Sequence, residues 1–378
     1  MQAKDGGAGA AMPGGGSGAG APDAGGAALL HTVPARTVVT GVRGVGTPDA
    51  TQTMQLVNDA SGAATVDGLS LGGVSQVASV LGATTQDAQV SALVPASPLL
   101  QVEGPPPLPV SIAGGAQLPV VVHLLTTAAG LPAAPPQDNG ATLLSTTLTV
   151  TSGSTSVKTD VFGVVLTQAL WEPTLGQILY TLGYKLNVGM AQNNANPNRG
   201  KTAQQLPGVE AGTDEIAAPL FVKSGAAEVT LIVVARFSPM GPLPFGWYPS
   251  GASATHNVVG TMAEITDAQT SNKSRMVQPP MAAGSGTTFD PGTQTFGIWV
   301  YTDELSQKFD TGTASNGDFA YSQDALNSPA NVHRFKVYPL KDAAGAPITN
   351  SYLLAVEEAS NGDYQDYVFV LGNVAVAH

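Results

Sequence analysis

Apolar and hydroxyl-bearing residues alternate in short runs along this chain, and each run is closed by a cluster of Gly, Pro, Asn or Ser. A period of two cannot place one apolar face on a helix, so this pattern limits the chain to strands joined by tight turns. Leu143–Val150 shows it best: Leu144, Thr146, Leu148 and Val150 fall on one face. Further runs up to about Thr167 are Thr37–Val42, Thr51–Val57, Val90–Val94, Val110–Ile112, Leu118–Leu125, Ala141–Val150 and Ser156–Leu166. Roughly seven short strands at this spacing predict an antiparallel sandwich of immunoglobulin-like size over residues 29–167. The run Pro105-Pro106-Pro107 lacks amide donors and is expected at an edge or crossover.

Residues 1–28 hold 10 Gly and 9 Ala with no periodic apolar face, the composition of a flexible tether. At Trp171 the period changes. Leu175, Ile178, Leu179 and Leu182 recur at helical spacing, with Pro173 expected at the first helical position and Gly183 as the stop. One short helix is therefore expected at the start of a second domain, 168–378. That domain continues in strong strands at Glu228–Phe237, Thr295–Tyr301, Val332–Pro339, Ser351–Glu357 and Tyr367–Leu371. The fold class expected is all-β: an immunoglobulin-like antiparallel β-sandwich, then a jelly-roll-like β-sandwich.

Charge narrows the function. Only 15 Lys and Arg stand against 27 Asp and Glu, a net charge of −12. Such a surface does not attract phosphate backbones, so nucleic acid is not an expected partner. No apolar run reaches the ~18 residues of a membrane span. With zero Cys there is no disulfide framework or thiolate site. No G-x-S-x-G elbow occurs, and the Gly-rich start lacks the Lys of a phosphate loop, so no enzyme is expected.

The densest chemistry lies near the end, where Glu357, Glu358, Asp363 and Asp366 fall within ten residues, with Asn361 among them and no Lys or Arg. Hard oxygen donors on a loop suit Ca²⁺, which takes six to eight of them. A solvated acidic turn is the alternative. Trp247 and Tyr248 are candidates for a sugar-stacking platform or for core packing. Asp324 and Asn327 are candidates for orienting a ligand or for capping a turn.

Two resemblances bear on these residues. The stretch 108–124, LPVSIAGGAQLPVVVHL, resembles the ASPM/Hydin-type immunoglobulin-like domain, also seen in bacterial choice-of-anchor surface proteins. The second half resembles a C-terminal domain family of bacterial secreted proteins with an E-D…D-Y-N-D signature. Glu357-Glu358 and Asp363-Tyr364-Gln365-Asp366 carry the match, with Trp171-Glu172-Pro173 and Phe245-Gly246-Trp247-Tyr248 as further landmarks. That resemblance implies calcium on Glu358, Asp363 and Asp366, with Glu357 and Asn361 secondary. Gly362 and Gln365 depart from the signature, which implies a ligand fewer. Together these readings predict a structural or adhesive protein outside a bacterial cell, at its surface or beyond, with a Ca²⁺-stabilised second sandwich. Its expected partners are copies of itself or cell-surface and matrix polymers. A self-assembling filament or coat subunit and a carbohydrate-binding module are the alternatives.

Overall fold

The computed structural model describes residues 30–44, 50–77, 90–93, 99–103, 107–128, 130–132, 141–166, 172–189, 213–238, 241–263, 275–302, 318–329, 332–358 and 364–377. They form an all-β architecture of packed sheets with one α-helix, as the periodicity requires. The tether 1–28 and most of the Pro105–Pro107 run lie outside the described residues.

In the first half, one sheet runs in the order Leu30–Val33, Thr51–Asn58, Gln117–Leu124, Leu100–Glu103. The other runs Arg36–Val42, Thr155–Leu166, Ala141–Ser152, Ser75–Val77, Val90–Leu93, with Gly68–Leu71 also paired to Ala141–Ser152. Met54, Leu56, Val120, Val122, Leu144, Leu148 and Val150 fill the space between the two sheets. The predicted face is therefore the buried one, while Ser145, Thr147 and Thr149 are only partly buried. One pairing departs from the antiparallel expectation: Arg36–Val42 lies parallel to Asp160–Leu166.

The second half is again two sheets. The first takes Asn257–Met262, Leu243–Pro249, Phe296–Thr302, Phe221–Lys223 and Val374–Val376 in that order, with Asp318–Tyr321 on Phe296–Thr302. The second takes Met276–Val277, Val229–Arg236, Tyr367–Gly372, Pro347–Val356 and Phe335–Lys341, with Thr288–Phe289 on Val229–Arg236. Phe221, Phe245, Phe296, Phe335 and Phe369 pack between them.

A third apolar cluster joins the halves. Leu175–Leu182 is an α-helix whose Leu175, Ile178, Leu179 and Leu182 are buried, each such side chain contributing about 1.5–3 kcal/mol. Pro173 precedes the cap instead of opening the helix. Thr174 is the N-cap because its hydroxyl accepts from the Gln177 amide while the Gln177 side chain accepts from the Thr174 amide. Gly183, at φ 79°, ends the helix in the left-handed conformation expected of a stop. Val38, Leu143, Phe162 and Val164 of one sheet pack with the helix, and so do Val234, Tyr338, Leu353, Val368 and Val370 of the other half. Polar bonds reinforce the junction. The Gln278 side chain accepts from the Val38 amide at 3.1 Å and donates to the Arg36 carbonyl at 2.9 Å, as a neighbouring strand would. The Thr40 hydroxyl accepts from the Val277 amide.

Candidate functional site

Strands Pro347–Val356 and Tyr367–Gly372 pair in register from Ser351↔Gly372 to Val356↔Tyr367, which brings Glu357, Glu358 and Asp366 together at the end of the hairpin. All three are buried, at 1%, 2% and 4% exposure. Their oxygens accept from the protein itself. Asp366 Oδ2 takes the Glu358 amide at 2.7 Å and Glu357 Oε2 takes the Tyr364 amide at 3.2 Å. Glu358 Oε2 takes the Tyr367 hydroxyl. Burial, with the Glu358 charge beside it, pushes the Tyr367 hydroxyl well above its usual pKa and keeps it a donor. A distant residue reaches the hairpin through a hydroxyl. Arg236, fully buried, donates from Nε to Ser238 Oγ at 2.9 Å, and Ser238 in turn bonds Tyr367.

Gln365 donates to Glu172 Oε2 at 2.9 Å, and Glu172 forms an ion pair with Arg275. This joins the end of the hairpin to the segment that opens the second half. Gln365 is where the sequence departs from the calcium-type signature, so the departure has a structural use. Among the described residues no group of three or more His, Asp or Glu is set to hold a metal ion. Asn361 and Asp363 lie outside the described residues. The described carboxylates, those of Glu357, Glu358 and Asp366, are aimed inward at protein N–H and O–H groups.

Tyr248 is fully buried, its hydroxyl 3.1 Å from Gln323 Oε1 and 3.5 Å from Ser322 Oγ, with burial raising its pKa to about 12. Trp247 stacks on Phe289 with centroids 5.6 Å apart and meets Phe296 edge-on. The two rings therefore serve packing and do not present a joint platform. Asn327 bonds the backbone of its own turn, accepting from the Tyr321 amide and donating to the Tyr321 and Val332 carbonyls. Asp324 accepts or shares a proton with His333 Nδ1 at 3.1 Å, while His333 Nε2 lies 2.9 Å from Glu215. The hydrogen bond to Glu215 raises the His333 pKa against burial, and Asp324 adds to the rise. This Asp–His–Glu array crosses three segments, so no local spacing announced it.

A cleft of about 490 Å³ lies beyond the end of the helix. The Arg36–Val42, Thr155–Leu166, Ala141–Ser152 sheet contributes Arg36, Asp160, Phe162, Ser145, Thr146 and Thr147 to its lining. There Arg36 pairs in register with Asp160, Asp160 with Thr147, and Phe162 with Ser145. Arg36 Nη2 lies 3.3 Å from Asp160, and the guanidinium sits 5.6 Å from the Phe162 centroid. Tyr180, Tyr184 and Lys185 also line it. Alternation along Ser145, Thr147 and Asp160 was the signal for a polar outer face. Nothing in the sequence said where the helix would stop covering it.

No protein-family model matches the chain, and no curated protein matches it. Solved structures with some likeness include the CupB2 chaperone of Pseudomonas aeruginosa, at 11% identity and TM-score 0.21, covering 76% of this chain and 96% of that one. The YadV chaperone matches at 12% identity, TM-score 0.21 and the same coverages. The secreted serine protease VesC from Vibrio cholerae matches at 8% identity and TM-score 0.18, covering 86% of this chain and 47% of that one. Among the described residues no helix is long and apolar enough to cross a membrane.

Proposed function

We propose that this chain is a non-enzymatic structural or adhesive protein acting outside a bacterial cell. The observation that supports this reading is the junction: both halves, with the helix between them, share one apolar cluster, and Gln278 hydrogen-bonds the edge of Arg36–Val42 from the other half. Domains on a flexible linker reorient under load, whereas a shared core passes force from one sandwich to the next. The scarcity of charge and the Gly/Ala-rich segment 1–28, read as a tether, fit a spacer held away from its anchor.

Beads coated with the full chain test the reading. Retention under flow on surfaces bearing bacterial polysaccharide or extracellular matrix, above that of uncoated beads, is the expected result. Equal detachment on every surface, with hydrolytic turnover of any of those polymers, would overturn it.

A further inference from the structure

Several places outside the hairpin carry chemistry. The rings of His256, Trp299, Phe319 and Tyr321 pack on one another, and each nitrogen of His333 meets a carboxylate of Glu215 or Asp324. The cleft at the end of the helix differs, because its hydroxyl groups have no protein partner.

The sheet explains how those groups come together. Leu143, Phe162, Val164 and Val38 face the helix, and a period of two carries the same face on to Ser145 and Thr147, to Asp160 and to Arg36. Three neighbouring strands thus turn from apolar to polar in register. The Ser145, Thr147, Tyr180 and Tyr184 hydroxyls, all on the lining, have no hydrogen-bond partner among the described residues. Tyr184 is only 4% exposed. Burial raises the pKa of Tyr180 and takes that of Tyr184 to about 12, so both hydroxyls keep a proton to donate.

Arg36 and Asp160 neutralise each other. Arg36 Nη2 lies 3.3 Å from Asp160 Oδ2, and Nη1 lies 3.5 Å from the Tyr180 carbonyl. The guanidinium keeps further N–H donors, and Asp160 Oδ1 remains an acceptor without a partner among the described residues. Lys185 also lines the cleft and has a partner of its own. A lone ion would have to take Arg36 or Asp160 from its partner, and an apolar ligand would strip water from the hydroxyls with nothing in return. A polyol suits these groups, because each of its hydroxyls both donates and accepts.

We propose that this cleft binds a neutral hexose unit of a glycan. Arg36 donates to one sugar hydroxyl while Asp160 accepts from its neighbour. Ser145, Thr147 and Tyr184 serve the remaining hydroxyls, and the half-buried Tyr180 supplies a ring for the C–H face of the pyranose. The volume, about 490 Å³, lies within the roughly 300–1,000 Å³ of small-molecule sites. The site goes beyond the load-bearing reading and does not depend on it.

Calorimetric titration and amide NMR of the full chain test the assignment. The probes are oligosaccharides of glucose, of galactose and of mannose, with a glucuronic acid oligosaccharide of equal length. At least one neutral probe is expected to saturate, with shifts confined to residues around Ser145, Thr147 and Tyr180. The glucuronic probe should bind about tenfold more weakly or not at all, since a buried carboxylate needs an unpaired cation. Asp160→Asn, at an exposed position, should weaken the neutral sugar several-fold and move the preference toward the glucuronic probe, because Arg36 then keeps its charge. Tyr184→Phe removes one hydroxyl at constant shape and should lower neutral-sugar affinity about two- to tenfold in a chain of unchanged circular dichroism. Absence of binding by all three neutral probes, shifts elsewhere, or equal or tighter binding of the glucuronic probe by the wild type would each overturn the proposal. So would wild-type affinity and preference in folded Asp160→Asn and Tyr184→Phe. Bead retention under flow is a separate readout, so failure of adhesion and failure of the cleft are distinguishable.

Discussion

Replacing Glu172 by Ala should destabilise the protein more than removal of any exposed charge. Glu172 is fully buried, paired with Arg275, whose side chain is 9% exposed, and it accepts from Gln365 at 2.9 Å. Truncation breaks a buried ion pair, which costs roughly 3–5 kcal/mol, including the lost bond to Gln365. For a cooperative unit of this size about 1 kcal/mol moves the melting midpoint by ~2–4 °C, so a fall on the order of 10 °C is expected. The control is the double variant Glu172→Met with Arg275→Met, which removes both charges and leaves apolar groups of similar length. If the cost of Glu172→Ala comes from breaking the charge pair, the double variant should recover most of it, since replacing an intact buried pair by apolar groups is often neutral or stabilising. Urea denaturation of the wild type, Glu172→Met, Arg275→Met and the double variant closes the cycle. A loss below about 1 kcal/mol for Glu172→Ala, or strictly additive losses in the double variant, would refute the reasoning.

Stability should also depend on pH through His333. Its pKa is raised above 6.5 in the fold, so its contribution is fully present below 6.5 and is lost as pH rises through the folded value. Burial opposes the shift at Glu215, yet His333 and Lys336 lower its pKa below 4.5, so its contribution is present above 4.5 and lost as pH falls further. Melting midpoints should therefore be highest between these limits and decline toward pH 8, by a small amount because the His333 side chain is 45% exposed; His333→Gln should flatten the decline. Gly246→Ala should disrupt the sheet carrying Leu243–Pro249, because a Cβ there would fall on the Asn257 carbonyl oxygen at the bulge between Phe245 and Gly246. Loss of the folded near-ultraviolet spectrum is the expected readout, and a native spectrum would contradict it. Chelator should leave the melting midpoint unchanged, since protein donors already serve Glu357, Glu358 and Asp366; a calcium-dependent rise would restore the ion.

Much of the fold was legible because strand formation leaves a local record. Residues 144, 146, 148 and 150 alternate in sequence and in burial, and the helix period and its Gly183 stop coincide with the observed helix. Short strands such as Gly68–Leu71 and Ser75–Val77 went unread because they are held by pairing to Ala141–Ser152, not by their own pattern. At the candidate site, the density of acids at 357–366 marked the hairpin, while the donors that Glu357, Glu358 and Asp366 meet were not legible. The side chains that meet this hairpin, Ser238 at Tyr367 and Glu172 at Gln365, are distant along the chain.

The sequence by itself determined the all-β class, the tight turns and the single helix, because backbone preference and periodicity act over a few residues. Runs such as Val161–Leu166 and Tyr367–Leu371 were continuously apolar instead of alternating, and both are buried throughout. That continuity recorded a sheet covered on both faces, though not by what. Only the tertiary structure decided that the covering is the helix and the other half of the chain. It also decided that Arg36–Val42 runs parallel to its neighbour and that a cleft opens where the helix ends. These outcomes depend on contacts across more than a hundred residues, where area burial and charge pairing choose the partner and no local pattern carries the information.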